Sequence, residues 1–209
     1  MKMIDLKIKT ALWVLPIHLY ALLIPIALIP ILSDHELFLQ EIIYSHKILV
    51  YAMLILALGS LFEIIQNHKD QWFVTADSAS GNGFSLYDGL FTFFILFGQI
   101  MILISFIGQY KWVIAISLFA LFLGPILYYK RKLVFLPTSI IGLLNTIIAF
   151  MLFSESIIFM QLVMVGLTIF FFNKLIETNN QYFHGLTTLC ASSGMLFLIL
   201  AIKKAALLS

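Results

Sequence analysis

The chain has 209 residues, of which 62% are apolar and only 11% are charged. Soluble domains carry roughly a quarter of charged residues, so this chain cannot cover itself with a polar surface in water. Its formal net charge of +2 is too small to indicate a nucleic-acid partner. We therefore expect an all-α integral membrane protein with a single domain, residues 1–209, whose partners are membrane lipids; protein partners stay open.

Apolar runs along the chain predict a seven-transmembrane helix bundle. A hydrocarbon core about 30 Å thick takes roughly 20 residues of helix. The first run follows a short basic segment, but it is too long for a signal peptide and no cleavage pattern follows it, so we expect it to remain as the first span. The predicted spans are residues 11–32, 48–66, 87–108, 112–129, 133–153, 156–173 and 184–202.

The distribution of basic residues predicts the orientation. Eight Lys and Arg residues fall on the side of the amino terminus and four on the opposite side. Positive side chains accumulate on the cytoplasmic side, so we expect the amino terminus inside. The heavy use of Ile, Phe and Lys is typical of an AT-rich prokaryotic genome, which favours a prokaryotic cytoplasmic membrane.

Several polar residues within the spans have structural interpretations. His18, in the first span, is interpreted as a hydrogen-bonded core histidine. Gln99, Asn145 and Gln161 are interpreted as links between helices, because amide side chains bond across helix interfaces in lipid. Cys190, the single cysteine, cannot form an internal disulfide and is expected to pack as a small hydrophobe.

The second span carries a polar stripe toward its end. Ser60, Glu63 and Asn67 are spaced three and four residues apart, which places them on one helix face. His68 is rotated away from Glu63 and falls at the water boundary, so it is interpreted as interfacial, with a ligand role as the alternative. Ionisable groups at membrane depth indicate function by default, because burying them in lipid is costly.

Two further ionisable residues lie on the same side of the membrane. Asp88 begins the third span and His184 begins the seventh, and the parity of the spans places both near the inner end of the second span. Other interpretations stay open: Asp88 as a helix cap, Glu63 as the partner of Lys69 or Lys174, and His184 as an interfacial residue.

The long polar connection between the second and third spans, residues 68–85, has two interpretations. It is either a lid over the polar residues or a linker anchored at the interface by Trp72.

Three short stretches resemble a known family: GSLFEI at 59–64, SLYDGL at 85–90 and FHGLTTLCASSG at 183–194. They resemble the CREST superfamily of seven-span membrane proteins, which includes alkaline ceramidases and adiponectin receptors. In that family a serine near the end of span two precedes a histidine by four residues. An aspartate begins span three, and span seven begins with His-x-x-x-His. Ser60, Asp88 and His184 match this pattern.

Two of the three zinc-binding histidines of that family are replaced here, by Ile64 and Thr188. Glu63, next to the first missing histidine, is our substitute ligand. The resemblance implies a hydrolase that acts on a lipid amide or ester. With Glu63 as the substitute, we expect a divalent metal held by His184, Glu63 and Asp88, with Ser60 and Asp88 in catalytic roles. Asp88 either completes the ligand set or serves as general base. We expect zinc, although a carboxylate-rich set also suits other divalent ions.

Two other functions stay open. The absence of two zinc-binding histidines is expected in a relative that has lost catalysis. The first alternative is therefore a non-catalytic lipid-binding, sensor or subunit protein of the same fold. Alternatively, the carboxylates and His184 would relay protons in a small proton-coupled transporter.

Overall fold

The computed structural model describes residues 2–72, 86–129, 136–178 and 181–208. All regular structure within these ranges is helical, which confirms the all-α prediction. The helices are α1 (Lys2–Asp34), α2 (Glu36–Ile42), α3 (His46–Trp72), α4 (Leu86–Ile107), α5 (Lys111–Tyr129), α6 (Leu136–Phe153), α7 (Ile158–Thr178) and α8 (Gln181–Leu208).

Five helices in the described ranges are long and apolar enough to cross a bilayer, so the chain is an integral membrane protein. They are the segments Val14–Asp34, His46–Ile65, Leu90–Ile107, Ile158–Leu175 and Tyr182–Leu208. The other two predicted spans correspond to α5 and α6, whose apolar stretches are shorter, Lys111–Leu123 and Pro137–Phe153. Within the described residues, five of the seven predicted spans are therefore long enough to cross a bilayer.

The helices extend beyond the predicted spans, and one short helix was not predicted. α3 continues to Trp72 and α8 to Leu208, because backbone hydrogen bonding does not stop where the apolar run stops. Helix α2 is only seven residues long and joins α1 to α3. Its Leu39 is fully buried, so packing rather than length stabilises it.

Six helices form a closed ring. Helix α1 packs against α3 and α8, α4 packs against α3, α7 packs against α8, and α6 joins α4 to α7. Helix α5 lies outside this ring, against α4 and α6. Residues distant in sequence, on α1, α3 and α8, are thereby brought side by side.

A close approach of backbones fixes α3 against α4. A Cβ atom added to Gly59 would lie 2.8 Å from Ile95 Cδ1 and 3.2 Å from the Ile95 backbone nitrogen. On the other helix, a Cβ on Gly98 would lie 2.7 Å from two atoms of the Leu56 side chain. Small residues allow such contact between membrane helices. Because Gly59 directly precedes Ser60, this contact also positions the polar stripe of α3.

The two sides of the bundle differ in chemistry. We call the side where α3 ends and α8 begins the amino-terminal side, and the opposite side the far side. An apolar core fills the far half, with the fully buried side chains of Leu32, Leu39, Leu49 and Leu198 in it. The polar residues of α3 and α8 lie toward the amino-terminal side, where this core gives way to a cavity.

Candidate functional site

Two imidazoles and a carboxylate from three helices meet near the amino-terminal side. His18 Nε2 of α1 lies 3.1 Å from His184 Nε2 of α8. Glu63 Oε1 of α3 lies 3.4 Å from His184 Nε2 and 3.8 Å from His18 Nε2. The two rings are nearly perpendicular, at 80°, and their Nε2 atoms are the atoms in contact. We call these three residues the triad.

A hydroxyl group holds the carboxylate of the triad. Thr188 lies one turn beyond His184 on α8, and four residues is the spacing that stacks side chains on one helix face. Its Oγ1 donates a hydrogen bond of 2.9 Å to Glu63 Oε1. The same oxygen therefore faces Thr188, His18 and His184.

Further hydrogen bonds link α1 to its two neighbours around the triad. Ser60, one turn before Glu63 on the same face of α3, donates from Oγ to the Ala21 carbonyl oxygen of α1 at 3.2 Å. Tyr20 Oη and Ser193 Oγ, on α1 and α8, lie 3.4 Å apart. These bonds limit the rotation of the three helices and so keep the triad in register.

The triad is shielded from solvent. The His18 side chain is fully buried, that of Glu63 is 5% exposed and that of His184 is 19% exposed. A buried ionised carboxylate is costly unless a donor or a positive charge compensates it. The Thr188 hydroxyl supplies one donor, and the two imidazoles lie within 4 Å of the carboxylate, where a proton on either ring would compensate its charge.

A cavity of about 160 Å³ opens beside the triad. All six helices of the ring contribute to its wall, which includes Glu63, His184 and Ser60. Most of the wall is apolar, and hydroxyl and amide groups from α6, α7 and α8 interrupt it. A mostly apolar pocket with a few convergent polar groups is the usual form of a small-molecule site.

The separations within the triad fit one metal ion. The three ligand atoms lie close enough together to share an ion. Their separations of 3.1, 3.4 and 3.8 Å place them on a circle of about 2.0 Å radius, which is close to the length of a bond from zinc to a His nitrogen or a carboxylate oxygen. An ion slightly above the plane of that circle would meet all three atoms at ordinary lengths. A direct hydrogen bond between the imidazoles is equally compatible with the separation of 3.1 Å.

The predicted site residues divide into two groups. Ser60, Glu63 and His184 are brought together, and Glu63 and His184 are in direct contact. Glu63 is buried rather than exposed at the interface, and His184 faces the carboxylate rather than lipid headgroups. The second group comprises residues whose side chains lie outside the described part of the structure: Asn67, His68 and Asp88.

Asp88 is placed by its backbone alone. It lies in the first turn of α4, at the end of that helix nearest Glu63 of the adjacent α3. The loop interpreted as a lid or linker falls largely outside the described residues, which resume at Leu86.

Sequence reasoning missed the part that His18 takes in the triad. The interpretation of His18 as a buried, hydrogen-bonded residue agrees with its surroundings, but its partner is His184. The sequence did contain a signal for this role. His18 is ionisable and lies in the amino-terminal half of the first span, on the same side of the membrane as Glu63. The rotation of α1 about its axis, which turns His18 toward α3 and α8, had no counterpart in the sequence.

Comparisons of this chain with protein-family models, with curated proteins and with solved structures found no match. The candidate site therefore depends on the geometry of the chain itself.

Proposed function

We propose that this protein is a seven-span metallohydrolase that cleaves an amide or ester bond of a membrane lipid. The observation that carries this proposal is the triad of His18, Glu63 and His184, whose ligand atoms are spaced for one divalent ion at the wall of a cavity. Two histidines and one glutamate are also the ligands of known catalytic zinc sites, which keep a fourth position open for substrate. Zinc is therefore the proposed metal.

The proposed ligand set differs from the sequence expectation in one member. Asp88 was expected as a third ligand beside Glu63 and His184, and His18 takes that place in the proposal. Asp88 keeps the proposed role of general base, because it begins α4 on the side of the membrane where Glu63 lies. The two departures from the CREST pattern are also in contact with each other. Thr188 occupies the position of one expected histidine, and its hydroxyl donates to Glu63, which we propose as the substitute for the other expected histidine.

The residues around the triad have separate tasks in the proposed reaction. Bound to the triad, a divalent ion would polarise a carbonyl group and activate water. Thr188 holds the Glu63 carboxylate, and such outer contacts orient the direct ligands of metals. Ser60 would turn its hydroxyl from the Ala21 carbonyl to the substrate carbonyl oxygen, where negative charge develops. Water adds to the carbonyl carbon, the bond to nitrogen or oxygen breaks, and a carboxylic acid and an amine or alcohol leave.

The environment supports a lipid as the substrate. The triad is buried within an apolar bundle, and the wall of the adjoining cavity is mainly hydrocarbon. An alkyl chain that moves from the bilayer into such a cavity exchanges one hydrocarbon environment for another and loses no hydrogen bonds. Orientation with the amino terminus inside a prokaryotic cytoplasmic membrane would place the site at the cytoplasmic leaflet.

Metal content tests this proposal. Wild-type protein purified in detergent and equilibrated with zinc is expected to retain about one ion per chain, measured by elemental mass spectrometry. His18→Ala and His184→Ala are expected to retain less than about a fifth of that. His46→Ala is the matched control, because His46 is a buried histidine on the far side, 3.5 Å from Glu36. Metal content unchanged in His184→Ala would overturn the metal site.

Hydrolysis is tested on the same preparations. Fatty acid released from N-acyl amide and ester lipids is measured by mass spectrometry in wild type, Glu63→Ala and His46→Ala. We expect release from wild type and His46→Ala, and none above background from Glu63→Ala. A zinc-loaded wild type without any release would contradict the enzyme and leave a metal-binding membrane protein.

A second candidate is the non-catalytic protein of the same fold. The separation of 3.1 Å between the two imidazole nitrogens favours it, because this is also an ordinary hydrogen-bond length. In that case the triad is a buried polar network that needs no metal. Absence of bound metal would favour this candidate, and proton-coupled uptake by metal-free proteoliposomes would favour the transporter instead.

A further inference from the structure

Two buried amide oxygens of the cavity wall have no hydrogen-bond donor among the described residues. Asn145 of α6 and Gln161 of α7 are 1% and 6% exposed, and both line the cavity beside the triad. Within the described residues, neither Asn145 Oδ1 nor Gln161 Oε1 has a hydrogen-bond partner. A buried acceptor without a partner costs about 1–3 kcal/mol, so two of them in one cavity wall point to a ligand that supplies donors.

The orientation of the Asn145 amide is fixed by α4. Asn145 Nδ2 donates to the Gln99 backbone oxygen at 2.9 Å and to Gln99 Oε1 at 3.0 Å. Exchanging the nitrogen and oxygen of this amide would place oxygen against two oxygens, which is repulsive. The unpartnered atom is therefore an oxygen, which can only accept a hydrogen bond.

This polar region lies deeper in the membrane than the triad. Gln161 Cγ is 3.9 Å from the point where Gly194 would carry a Cβ atom. Gly194 is ten residues beyond His184 on α8, a rise of about 15 Å. The wall between these levels includes Cys190, Ala191 and also Ser192, whose hydroxyl donates to the Thr188 carbonyl oxygen of its own helix. The cavity thus presents the triad at one level and the unpartnered acceptors further in.

We infer that the cavity binds a lipid whose acyl chain carries a hydroxyl group part-way along, and that this hydroxyl donates its one hydrogen bond to the amide oxygen of Asn145 or of Gln161. A group about 15 Å from the triad corresponds to the middle of a long acyl chain when the polar head lies at His184. The placement of the head at the triad rests on the proposed function. The preference for a hydroxyl group does not, because neither amide belongs to the triad.

The experiment compares two neutral lipids that differ by one hydroxyl group. Ricinoleamide carries it in mid-chain and oleamide lacks it. Dissociation constants are measured on wild-type protein in nanodiscs, in the presence of a chelator so that no turnover occurs. We expect ricinoleamide to bind about tenfold tighter, equivalent to one satisfied acceptor. The methyl ether of ricinoleamide has no donor in mid-chain and is expected to bind no tighter than oleamide.

Variants assign the preference to the two amides. One of the two variants, Asn145→Leu or the nearly isosteric Gln161→Met, removes the accepting oxygen and is expected to reduce the preference to less than about twofold, without weakening oleamide binding. Ser117→Ala is the matched control, because Ser117 Oγ is also buried without a partner in the described residues but does not line the cavity. It should retain the wild-type preference.

The outcomes separate this inference from the proposed function. Equal binding of ricinoleamide, its methyl ether and oleamide to wild type would overturn the inference and indicate that the acceptors hold water only. A preference that persists in both amide variants would overturn it as well. If the protein has no hydrolytic activity but still prefers ricinoleamide in a way that depends on these amides, the inference is upheld and only the enzymatic proposal fails.

Discussion

Thr188 Oγ1 donates a hydrogen bond of 2.9 Å to Glu63 Oε1, across 125 residues of sequence and from one helix to another. The accepting oxygen is also the one that faces both imidazoles of the triad. Thr188 therefore orients the Glu63 carboxylate toward the two imidazoles. It does so through a hydrogen bond, without being a member of the triad itself.

Replacing Thr188 should weaken metal binding without unfolding the protein. Thr188→Val keeps the shape and removes the hydroxyl, and loss of such a contact to a metal ligand typically costs about 10- to 100-fold in affinity. Thr187→Val is the matched control, because the Thr187 hydroxyl bonds to the Phe183 carbonyl oxygen of its own helix. Zinc dissociation constants from competition with a chelating dye provide the measurement. Equal affinities in the two variants would show that Glu63 needs no support from α8.

Zinc should stabilise the folded protein through the triad. A ligand at 100 times its dissociation constant adds about 2.7 kcal/mol to the free energy of unfolding. We expect zinc to raise the melting temperature of wild type in detergent, a chelator to reverse the shift, and His18→Ala to show neither effect. A zinc-induced shift of wild-type size in His18→Ala would remove His18 from the ligand set.

Adding a methyl group at Gly59 should destabilise the contact between α3 and α4. A Cβ atom there meets Ile95 Cδ1 at 2.8 Å, and overpacking of this kind costs about 1–3 kcal/mol. Gly166→Ala is the control, since nothing lies within 4 Å of its added Cβ and alanine favours the helix by up to about 1 kcal/mol. Thermal unfolding followed by tryptophan fluorescence compares the two.

Relief of the clash checks its cause. Ile95→Ala removes the side-chain atoms that the added methyl group meets, so the double variant Gly59→Ala, Ile95→Ala should lose less stability than the two single losses added together. Strict additivity would mean that the close approach does not limit packing at this point.

The seven-span arrangement can be tested by labelling introduced cysteines from one side. In a Cys190→Ala background, Tyr110→Cys and Ser156→Cys lie at the exposed connections α4–α5 and α6–α7, and Glu177→Cys lies near the end of α7. In intact cells an impermeant maleimide should label the first two, whereas Glu177→Cys should react only after lysis. Labelling of all three in intact cells would contradict the proposed topology.

Much of the fold could be predicted from the apolar runs, because a helix that crosses lipid needs a fixed number of apolar residues. The stripe of Ser60 and Glu63 followed from helical spacing, and their position near His184 followed from span parity. The short helix α2 could not be predicted in this way, since burial of Leu39 against other helices stabilises it. Nor could the closure of the ring, which depends on how six apolar surfaces fit one another.

Composition and the order of the apolar runs already place this chain in a membrane and place Glu63 and His184 on one side of it, because transfer energies and span parity depend on nothing else. Which side chains meet depends on the packed bundle. The parity of a span gives the side of the membrane on which a residue lies, but not the rotation of its helix. The rotation of α1 against α3 and α8 turns His18 toward Glu63 and His184. Helix rotation is settled by side-chain packing over whole interfaces, which no local stretch of sequence contains.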